Sequence, residues 1–323
     1  MTLPKIGITL GDPGGIGPEI TLKSLSSASS LPPAQYVLFG SHSVIDSEKA
    51  ALNLNLSIPH DSVLLHEIEG LDHQTVKGKP APPNGTSSFR YFQQAVQQAQ
   101  EGNIQALVTA PVSKESWNLA SIPWVGHTEY LSRIYPEAIM FFWSDELKVA
   151  LYTHHIPLQQ AIEKIKEKPL FEFMLRLDKN IKSILSPSFE FLVSGMNPHA
   201  GEKGLMGSEE SQYILPAIER ARSKGISVRG PFPPDIVFRE ASKNPDKIAI
   251  ALYHDQGLIP FKLLAFDRGV NLTLGMPFIR TSPDHGTAFD IAGKGIADPN
   301  SMIEAIRLAH RLISARDLDK KIR

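Results

Sequence analysis

Short apolar runs alternate with amphipathic segments along almost the whole chain of 323 residues. The runs are nearly continuous in apolar residues, and they are Ile6–Leu10, Tyr36–Phe39, Ala106–Thr109, Val149–Tyr152, Phe189–Val193 and Ile248–Tyr253. Such runs are typical of strands that are covered on both faces of a mostly parallel sheet. Helical periodicity marks the segments Glu19–Leu25, Ser87–Glu101, Leu158–Lys166, Leu170–Leu185, Ser208–Lys224 and Ser301–Ala315. The alternation predicts an α/β fold with mostly parallel sheets.

Charge and composition exclude several classes of protein. The chain has 33 basic and 34 acidic side chains and a net charge of −1. It therefore lacks the excess of positive charge with which proteins attract duplex nucleic acid. No apolar stretch approaches the roughly 20 residues that span a bilayer, and no signal peptide is recognisable. We therefore expect a cytoplasmic protein with neither a nucleic-acid nor a membrane partner. Cysteine is absent, which excludes disulfides, thiolate zinc sites and thiol nucleophiles.

A glycine-rich segment, Gly11–Glu19, stands between the first predicted strand and the first predicted helix. Backbone N–H groups in this layout can face an anion. The spacing, however, matches neither the Walker loop nor the G-x-G-x-x-G pattern of dinucleotide-binding folds. Two interpretations stay open: a ligand-binding loop, or a tight turn with Pro18 at the helix start.

Histidines follow three of the predicted strands. His154 and His155 come after one strand, His199 after the next, and His254 after a third. Ligands collect beyond the carboxyl ends of strands in open α/β sheets. Three imidazoles meeting there would hold a divalent metal ion and leave coordination positions open for a substrate. Asp255, next to His254, is a candidate either to orient that ligand or to act as a base.

Three polar residues, Lys262, Asn271 and Arg280, follow the last of these histidines at intervals of nine. Two cations and an amide suit a substrate that carries a carboxylate or a phosphate. The alternative is that the cations are solvated surface side chains.

Taken together, several motifs resemble the 4-hydroxythreonine-4-phosphate dehydrogenase family, within the isocitrate and isopropylmalate dehydrogenase superfamily. The matching segments are Gly11–Glu19, Val108–Lys114, Gly126–Leu131, His155–Leu158, Asn197–Glu202, Tyr253–Gly257 and Gly269–Gly295. Two positions depart from the family pattern: Lys203 stands where a Gly is common, and His154 where a Thr is common. The second departure leaves two candidates for one ligand, and alignment on His-x-Pro-Leu favours His155.

This resemblance implies a two-lobed fold like that of isocitrate dehydrogenase, with mostly parallel sheets and a cleft active site. Residues 1–125 with 270–323 would form the lobe on the nucleotide side, and residues 126–269 the lobe on the metal and dimer side. It also implies a homodimer whose subunits share each active site.

The resemblance further implies a role for each candidate residue. His155, His199 and His254 would bind one divalent ion (zinc, magnesium, cobalt or manganese). His127, Thr128, Lys262, Asn271 and Arg280 would bind the substrate. Gly286, Thr287, Ala288 and Asp290 would bind the cofactor, NAD or NADP, and Asp290 favours NAD because a carboxylate repels a 2′-phosphate. Proton transfer falls to Asp235 or Asp255, and the sequence does not decide between them.

The implied reaction oxidises 4-phosphooxy-L-threonine to 2-amino-3-oxo-4-(phosphooxy)butanoate, which loses CO₂ to give 3-amino-2-oxopropyl phosphate, in pyridoxal 5′-phosphate biosynthesis. One alternative is a sibling dehydrogenase of threonate or erythronate 4-phosphate. Two alternatives belong to other classes: a non-enzymatic protein that binds phosphorylated metabolites, and a metal-dependent aldolase or isomerase.

Overall fold

The computed structural model describes residues 3–26, 31–52, 62–68, 75–185 and 189–322, and the chain divides into two compact units. Residues 1–138 and 276–314 form the first unit, and residues 139–275 and 315–323 form the second. The expected lobes, 1–125 with 270–323 and 126–269, have the same discontinuous arrangement, with bounds that differ from those of the units by 13 residues or fewer. Residues 126–138 join the first unit because the rings of His127 and Tyr130 pack against Phe92. Residues 270–275 join the second unit because Val270–Leu274 pairs with Ile139–Trp143.

Strands and helices alternate along the chain, as the sequence predicts. The strands are β1 (Lys5–Thr9), β2 (Gln35–Gly40), β3 (Val63–Glu67), β4 (Ala106–Thr109), β5 (Ile139–Trp143), β6 (Lys148–Leu151), β7 (Glu190–Ser194), β8 (Val228–Phe232), β9 (Lys247–Ala251), β10 (Val270–Leu274) and β11 (Ile279–Pro283). The helices are α1 (Gly17–Ser26), α2 (His42–Leu52), α3 (Pro82–Gln100), α4 (Lys114–Leu119), α5 (His127–Ile134), α6 (Leu158–Lys164), α7 (Glu167–Ile184), α8 (Leu215–Ser223), α9 (Pro234–Ser242), α10 (His254–Ala265) and α11 (Asn300–Ile322).

In the first unit the strands lie in the order β3-β2-β1-β4-β11, and every neighbouring pair is parallel. All residues of β4 are buried, as continuous apolar runs predict for strands covered on both faces. Helix α3 buries Tyr91, Phe92 and Val96. Because parallel strands end at one edge, the turns after β1, β4 and β11 come together there: Asp12 N donates to Pro111 O at 2.9 Å.

In the second unit the strand order is β10-β5-β6-β9-β7-β8. The β10–β5 and β5–β6 pairs are antiparallel, whereas β6–β9, β9–β7 and β7–β8 are parallel. One core packs α9 and α10 against the sheet through Phe142, Val149, Phe238 and Phe261. Phe261 is fully buried, so truncating it to Ala should cost about 3–5 kcal/mol. Across the described ranges, no helix combines the length and the apolar character that crossing a membrane requires.

Candidate active site

The predicted histidines follow three neighbouring strands of the second unit. Strands β6, β9 and β7 are adjacent and parallel, so their carboxyl ends lie at one edge of the sheet. His155 comes after β6, His254 begins α10 after β9, and His199 lies in the turn after β7. The strand-end positions predicted from the sequence are therefore confirmed.

Two of these histidines lie close together. The ring centroids of His155 and His254 are 5.5 Å apart. His155 has a φ of 51°, a left-handed conformation that is costly for a residue other than glycine. His254 Nδ1 lies 2.7 Å from Asp255 Oδ1. Because the carboxylate can only accept, Nδ1 carries the proton and Nε2 keeps the lone pair that a metal ion requires.

His154 differs from His155 in its surroundings. Its ring stacks edge-on against His155, with the centroids 5.2 Å apart, and its Nδ1 is buried without a hydrogen-bond partner. Burial, and to a smaller extent the nearby His254, lower the pKa of His154. The His154 ring is therefore neutral at neutral pH.

His199 lies in a left-handed turn, Pro198–Gly204, in which residues 199–203 all have positive φ. The side chain is 67% exposed, and its Nδ1 is 3.2 Å from Glu202 Oε2. Among the residues that the structure describes, no group of three His, Asp or Glu side chains could hold a metal ion. The described structure thus brings the rings of His155 and His254 together and pairs His199 with Glu202.

Two residues that the sequence analysis did not identify hold this edge in place. Glu210 Oε1 accepts hydrogen bonds from the backbone N–H groups of Met196 and Asn197, at 2.8 and 2.7 Å. Gln256 Nε2 donates to Gly195 O at 2.8 Å, while its Oε1 accepts from Leu252 N at 2.7 Å. Gln256 therefore ties the end of β9 to the end of β7. The sequence signal that could have identified Gln256 was its position two residues after His254.

The two candidate aspartates line one cleft of about 540 Å³, formed by residues of α9 and α10 together with Tyr253. Asp235 is in the first turn of α9, and Asp255 in the first turn of α10. Asp255 accepts the bond from His254 Nδ1, a geometry in which the carboxylate can orient the imidazole. Of the other predicted substrate ligands, Lys262 is exposed on α10, and Asn271 on β10 has a buried Oδ1 without a partner.

In the first unit, Arg280 lies buried at the centre of a polar cluster. Strand β11 pairs Arg280 with Leu107 of β4, so the side chain shares a sheet face with Thr109, two residues further along. Arg280 Nε and Nη2 donate to Thr109 Oγ1 at 3.1 and 2.7 Å. The residue is 3% exposed, and burial lowers the pKa of its guanidinium to about 10. The group therefore stays charged at neutral pH.

His127, at the start of α5, completes this cluster. Its Nδ1 lies 3.3 Å from Arg280 Nη2, and its ring stacks on Phe92 with the centroids 4.3 Å apart. Burial, with a smaller effect of the Arg280 charge, puts the pKa of His127 well below its ordinary value. Because a guanidinium only donates, Nδ1 accepts and the proton of the neutral ring is on Nε2. That Nε2 is shielded from solvent and has no partner, so it can donate to a ligand oxygen.

Thr109 is a further residue that the sequence analysis left out of the candidate site. It lies in one of the motif segments and ends β4, both of which pointed to a functional position. Thr128, in contrast, follows His127 in α5 as a half-buried residue.

The predicted cofactor residues lie in the turns after β11. Gly286 and Asp290 are exposed, Thr287 and Ala288 are half-buried, and Ala288 has a φ of 42°. A Cβ placed on Gly286 would meet no atom within 4 Å, so the backbone there is open to a ligand.

The glycine-rich start is buried throughout, from Gly11 to Ile20. Asp12 Oδ1 accepts from Gly14 N at 2.8 Å, and burial raises the pKa of this carboxyl. A Cβ on Gly15 would lie 2.7 Å from Thr287 O. These contacts favour the tight turn over the ligand-binding loop.

Residues 33–309 match the family described as "Pyridoxal phosphate biosynthetic protein PdxA". The chain belongs to the PdxA family. The resemblance drawn from the sequence motifs is thereby confirmed. A 4-hydroxythreonine-4-phosphate dehydrogenase from Desulforapulum autotrophicum is 40% identical, with 95% of this chain and 94% of that protein covered. A protein from Oceanobacillus iheyensis that is provisionally named D-threonate 4-phosphate dehydrogenase is 39% identical, with 96% of this chain and 98% of that protein covered.

Solved structures agree with the assignment to PdxA. The crystal structure of 4-hydroxythreonine-4-phosphate dehydrogenase from Klebsiella pneumoniae has a TM-score of 0.83 and 36% identity, with 96% of this chain and 98% of that chain covered. Isocitrate dehydrogenase from Methylococcus capsulatus shares the fold alone, at 14% identity and a TM-score of 0.50, with 99% of this chain and 88% of that chain covered. The predicted isocitrate dehydrogenase-like α/β fold is therefore confirmed.

Proposed function

We propose that this chain oxidises the secondary alcohol of 4-phosphooxy-L-threonine with NAD, giving 2-amino-3-oxo-4-(phosphooxy)butanoate, which then loses CO₂ as a β-keto acid to give 3-amino-2-oxopropyl phosphate. The names of relatives about 40% identical support the reaction class. The observation that carries the proposal is the buried pair of Arg280 and His127, a fixed cation beside a neutral N–H donor.

These two side chains fit an anionic substrate group. Arg280 supplies a charge that burial strengthens, since a desolvated ion pair is screened less than an exposed one. His127 Nε2 supplies a hydrogen bond whose acceptor the protein does not provide. Carboxylate and phosphate oxygens are both suitable acceptors. We place Thr128, Lys262 and Asn271 among the substrate ligands on the family resemblance.

The residues after β6 and β9 fit a divalent metal ion. The His155 and His254 rings are 5.5 Å apart, and Asp255 fixes the tautomer of His254 so that Nε2 keeps its lone pair. We propose His155, His254 and His199 as ligands, with a partner subunit contributing to each set, as the family resemblance implies. A bound ion would act as a Lewis acid, lowering the pKa of a coordinated hydroxyl. Among zinc, magnesium, cobalt and manganese, the donor set of neutral imidazoles favours zinc or cobalt over magnesium.

The open loop after β11 fits a nicotinamide cofactor, which accepts hydride when bound. Gly286, Thr287 and Ala288 offer backbone groups, and Asp290 offers an exposed carboxylate for a ribose hydroxyl. With Asp255 engaged by His254, we assign proton transfer to Asp235, on the same cleft.

A homodimer is part of this proposal. Helix α10 exposes an apolar face, with Ile259 at 61%, Leu263 at 81% and Leu264 at 46% exposure. Adjacent exposed apolar side chains of this size mark an interaction surface. The same side chains line the cleft with Asp235 and Asp255, so a second copy covering this face would adjoin the proposed site. Cytoplasmic location stays a prediction.

The test follows NADH formation with 4-phosphooxy-L-threonine, D-threonate 4-phosphate and D-erythronate 4-phosphate, each with and without a chelator. We expect turnover of the first compound that the chelator abolishes. Faster turnover of D-threonate 4-phosphate would assign the chain to the activity named for its Oceanobacillus relative. Absence of NADH with every compound would refute a dehydrogenase and leave a binding protein or an aldolase.

Metal binding is tested on separate variants. His155→Ala and His254→Ala should each lose bound metal and turnover, and His154→Ala is the matched control that should keep both. Full metal content with normal rates in either of the first two variants would remove that residue from the site.

A further inference from the structure

Helix α1 is bonded to the end of the loop that follows β11. Lys23 Nζ donates to Gly295 O at 2.9 Å and to Ala297 O at 2.8 Å. It also pairs with Glu19 Oε1 at 2.7 Å, one helical turn earlier. The same Glu19 oxygen accepts from Ala297 N at 2.8 Å. Glu19 is fully buried, so the bond from Ala297 N to Glu19 forms where water does not compete for it.

The start of this loop is held by the same part of the chain. Ile16 N donates to Thr287 O at 3.0 Å, and Gly15 packs so closely on Thr287 that a Cβ would lie 2.7 Å from its carbonyl oxygen. Between the two anchors, Asp290 and Lys294 are exposed. The glycine-rich segment Gly11–Glu19 therefore contacts both ends of the loop after β11, although it is not itself a ligand-binding loop.

We propose that Glu19 and Lys23 are positioning residues for the nicotinamide cofactor: they fix the turn Gly295–Ala297 and so hold Gly286–Asp290 in the conformation that binds adenosine. This inference rests on the proposed function, which places the cofactor at that loop. A loop held in its bound conformation saves the ordering cost of binding. Releasing one end restores that cost, and the cofactor then binds more weakly while the substrate does not.

Three variants test the clamp that Glu19 and Lys23 form on the turn Gly295–Ala297. Lys23→Met removes the donor to both carbonyls while keeping the aliphatic stem, and Lys23→Arg restores a charged donor. Glu19→Gln keeps an oxygen for Ala297 N and removes the charge that holds Lys23. The matched control is Lys182→Met, because Lys182 pairs with Asp178 at the same helical spacing, at 2.8 Å, in the second unit.

Two measurements report on the loop. One is the dissociation constant of NADH from its fluorescence, with no substrate present. The other is the rate at which trypsin cleaves after Lys294, identified by mass spectrometry. In Lys23→Met, the loss of charge-assisted bonds should raise both the dissociation constant of NADH and the rate of cleavage after Lys294 by about tenfold. The KM for the substrate should change by less than about twofold. Lys23→Arg should recover most of each change, Glu19→Gln should fall between, and Lys182→Met should match the wild type.

The outcomes separate this inference from the proposed function. If the wild type binds NADH and Lys23→Met binds it equally well, or if cleavage after Lys294 is unchanged, the clamp is refuted and the dehydrogenase stands. If Lys23→Met raises the KM values of cofactor and substrate alike, the pair only stabilises the fold and the positioning role is refuted. A wild type that binds no NADH refutes both. Should Lys23→Met fail to fold, Glu19→Gln and Lys23→Arg carry the same comparison.

Discussion

Replacing Thr109 by Val is the sharpest perturbation of the Arg280 cluster. Valine keeps the volume and the branched shape of threonine but removes the hydroxyl that accepts from Arg280 Nε and Nη2 at 3.1 and 2.7 Å. Both residues are almost fully buried, so water cannot replace the lost acceptor. The Arg280 guanidinium would then lose two hydrogen bonds that orient it beside His127.

The magnitude follows from the number of bonds and their burial. A hydrogen bond to a charged group contributes roughly 1.5–3 kcal/mol, and leaving a buried charged donor unmatched costs at least as much. Because both N–H groups share one hydroxyl, we take about 2 kcal/mol for the loss. In a domain of this size that lowers Tm by roughly 4–8 °C. If the same misorientation weakens the contact to the substrate anion, kcat/KM falls by one to two decades, at about 1.4 kcal/mol per decade.

The assay compares Thr109→Val with Thr109→Ser, which keeps the hydroxyl and loses only a methyl group. We expect Thr109→Val to raise the substrate KM at least tenfold and leave the cofactor KM within about twofold. Thr109→Ser should stay near the wild type in KM and lose about 1 kcal/mol of stability. A lower Tm with unchanged substrate KM in Thr109→Val would show that the hydroxyl serves the fold alone. Equal effects of Val and Ser would refute the argument from the hydroxyl.

Three further predictions concern pH, cofactor choice and assembly. Burial puts the pKa of His127 in the folded chain below its value in the unfolded chain, so the free energy of unfolding should fall as pH drops below about 6.5, by up to about 1.4 kcal/mol per pH unit. His127→Gln should make the urea-denaturation midpoint less dependent on pH between pH 7 and 5, whereas His42→Gln, at an exposed position, should leave that dependence unchanged. Asp290→Asn should narrow the preference for NAD over NADP in competition assays, and a wild type that uses NADP as well as NAD would contradict the role of this carboxylate. Leu263→Asp, on the exposed face of α10, should lower the mass measured by sedimentation to that of one chain; an unchanged mass would place the dimer contact elsewhere.

The sequence predicted the fold better than the site because the two depend on different patterns. Continuous apolar runs reported directly that β4 and β9 are buried on both faces, and those strands form where the runs lie. Lobe boundaries were less readable, because strand β10 joins the second unit through antiparallel pairing with β5. Pairing between distant segments leaves no periodic signal in either of them.

For the site, the sequence located residues but not their geometry. The strand-end rule placed His155 and His254 at one sheet edge, and their rings do lie near each other. It could not foresee the left-handed turn of residues 199–203, in which only Gly201 favours positive φ by its residue type. The sequence predicted the same role for Lys262 and Arg280, yet Lys262 is exposed and Arg280 is buried. Only tertiary packing separates a solvated cation from a desolvated one.

The pairing of Arg280 with His127 has a consequence that neither residue has alone. Burial keeps the His127 imidazole neutral, and the Arg280 charge adds to this effect because a protonated His127 would place two cations 3.3 Å apart. The Arg280 donor also fixes the imidazole proton on Nε2. An incoming anion reverses that balance, because its charge offsets Arg280 and raises the pKa of His127. Binding of a dianionic phosphate should therefore be accompanied by proton uptake near the acid end of the neutral range, measurable as a buffer-dependent enthalpy in calorimetry. His127→Gln should remove the proton uptake that His127 contributes and leave only the titration of the phosphate itself, while Arg280 continues to bind the anion. A buffer dependence from pH 5.5 to 7 that is the same in the wild type and in His127→Gln would show that His127 stays neutral in the complex and acts only as a donor.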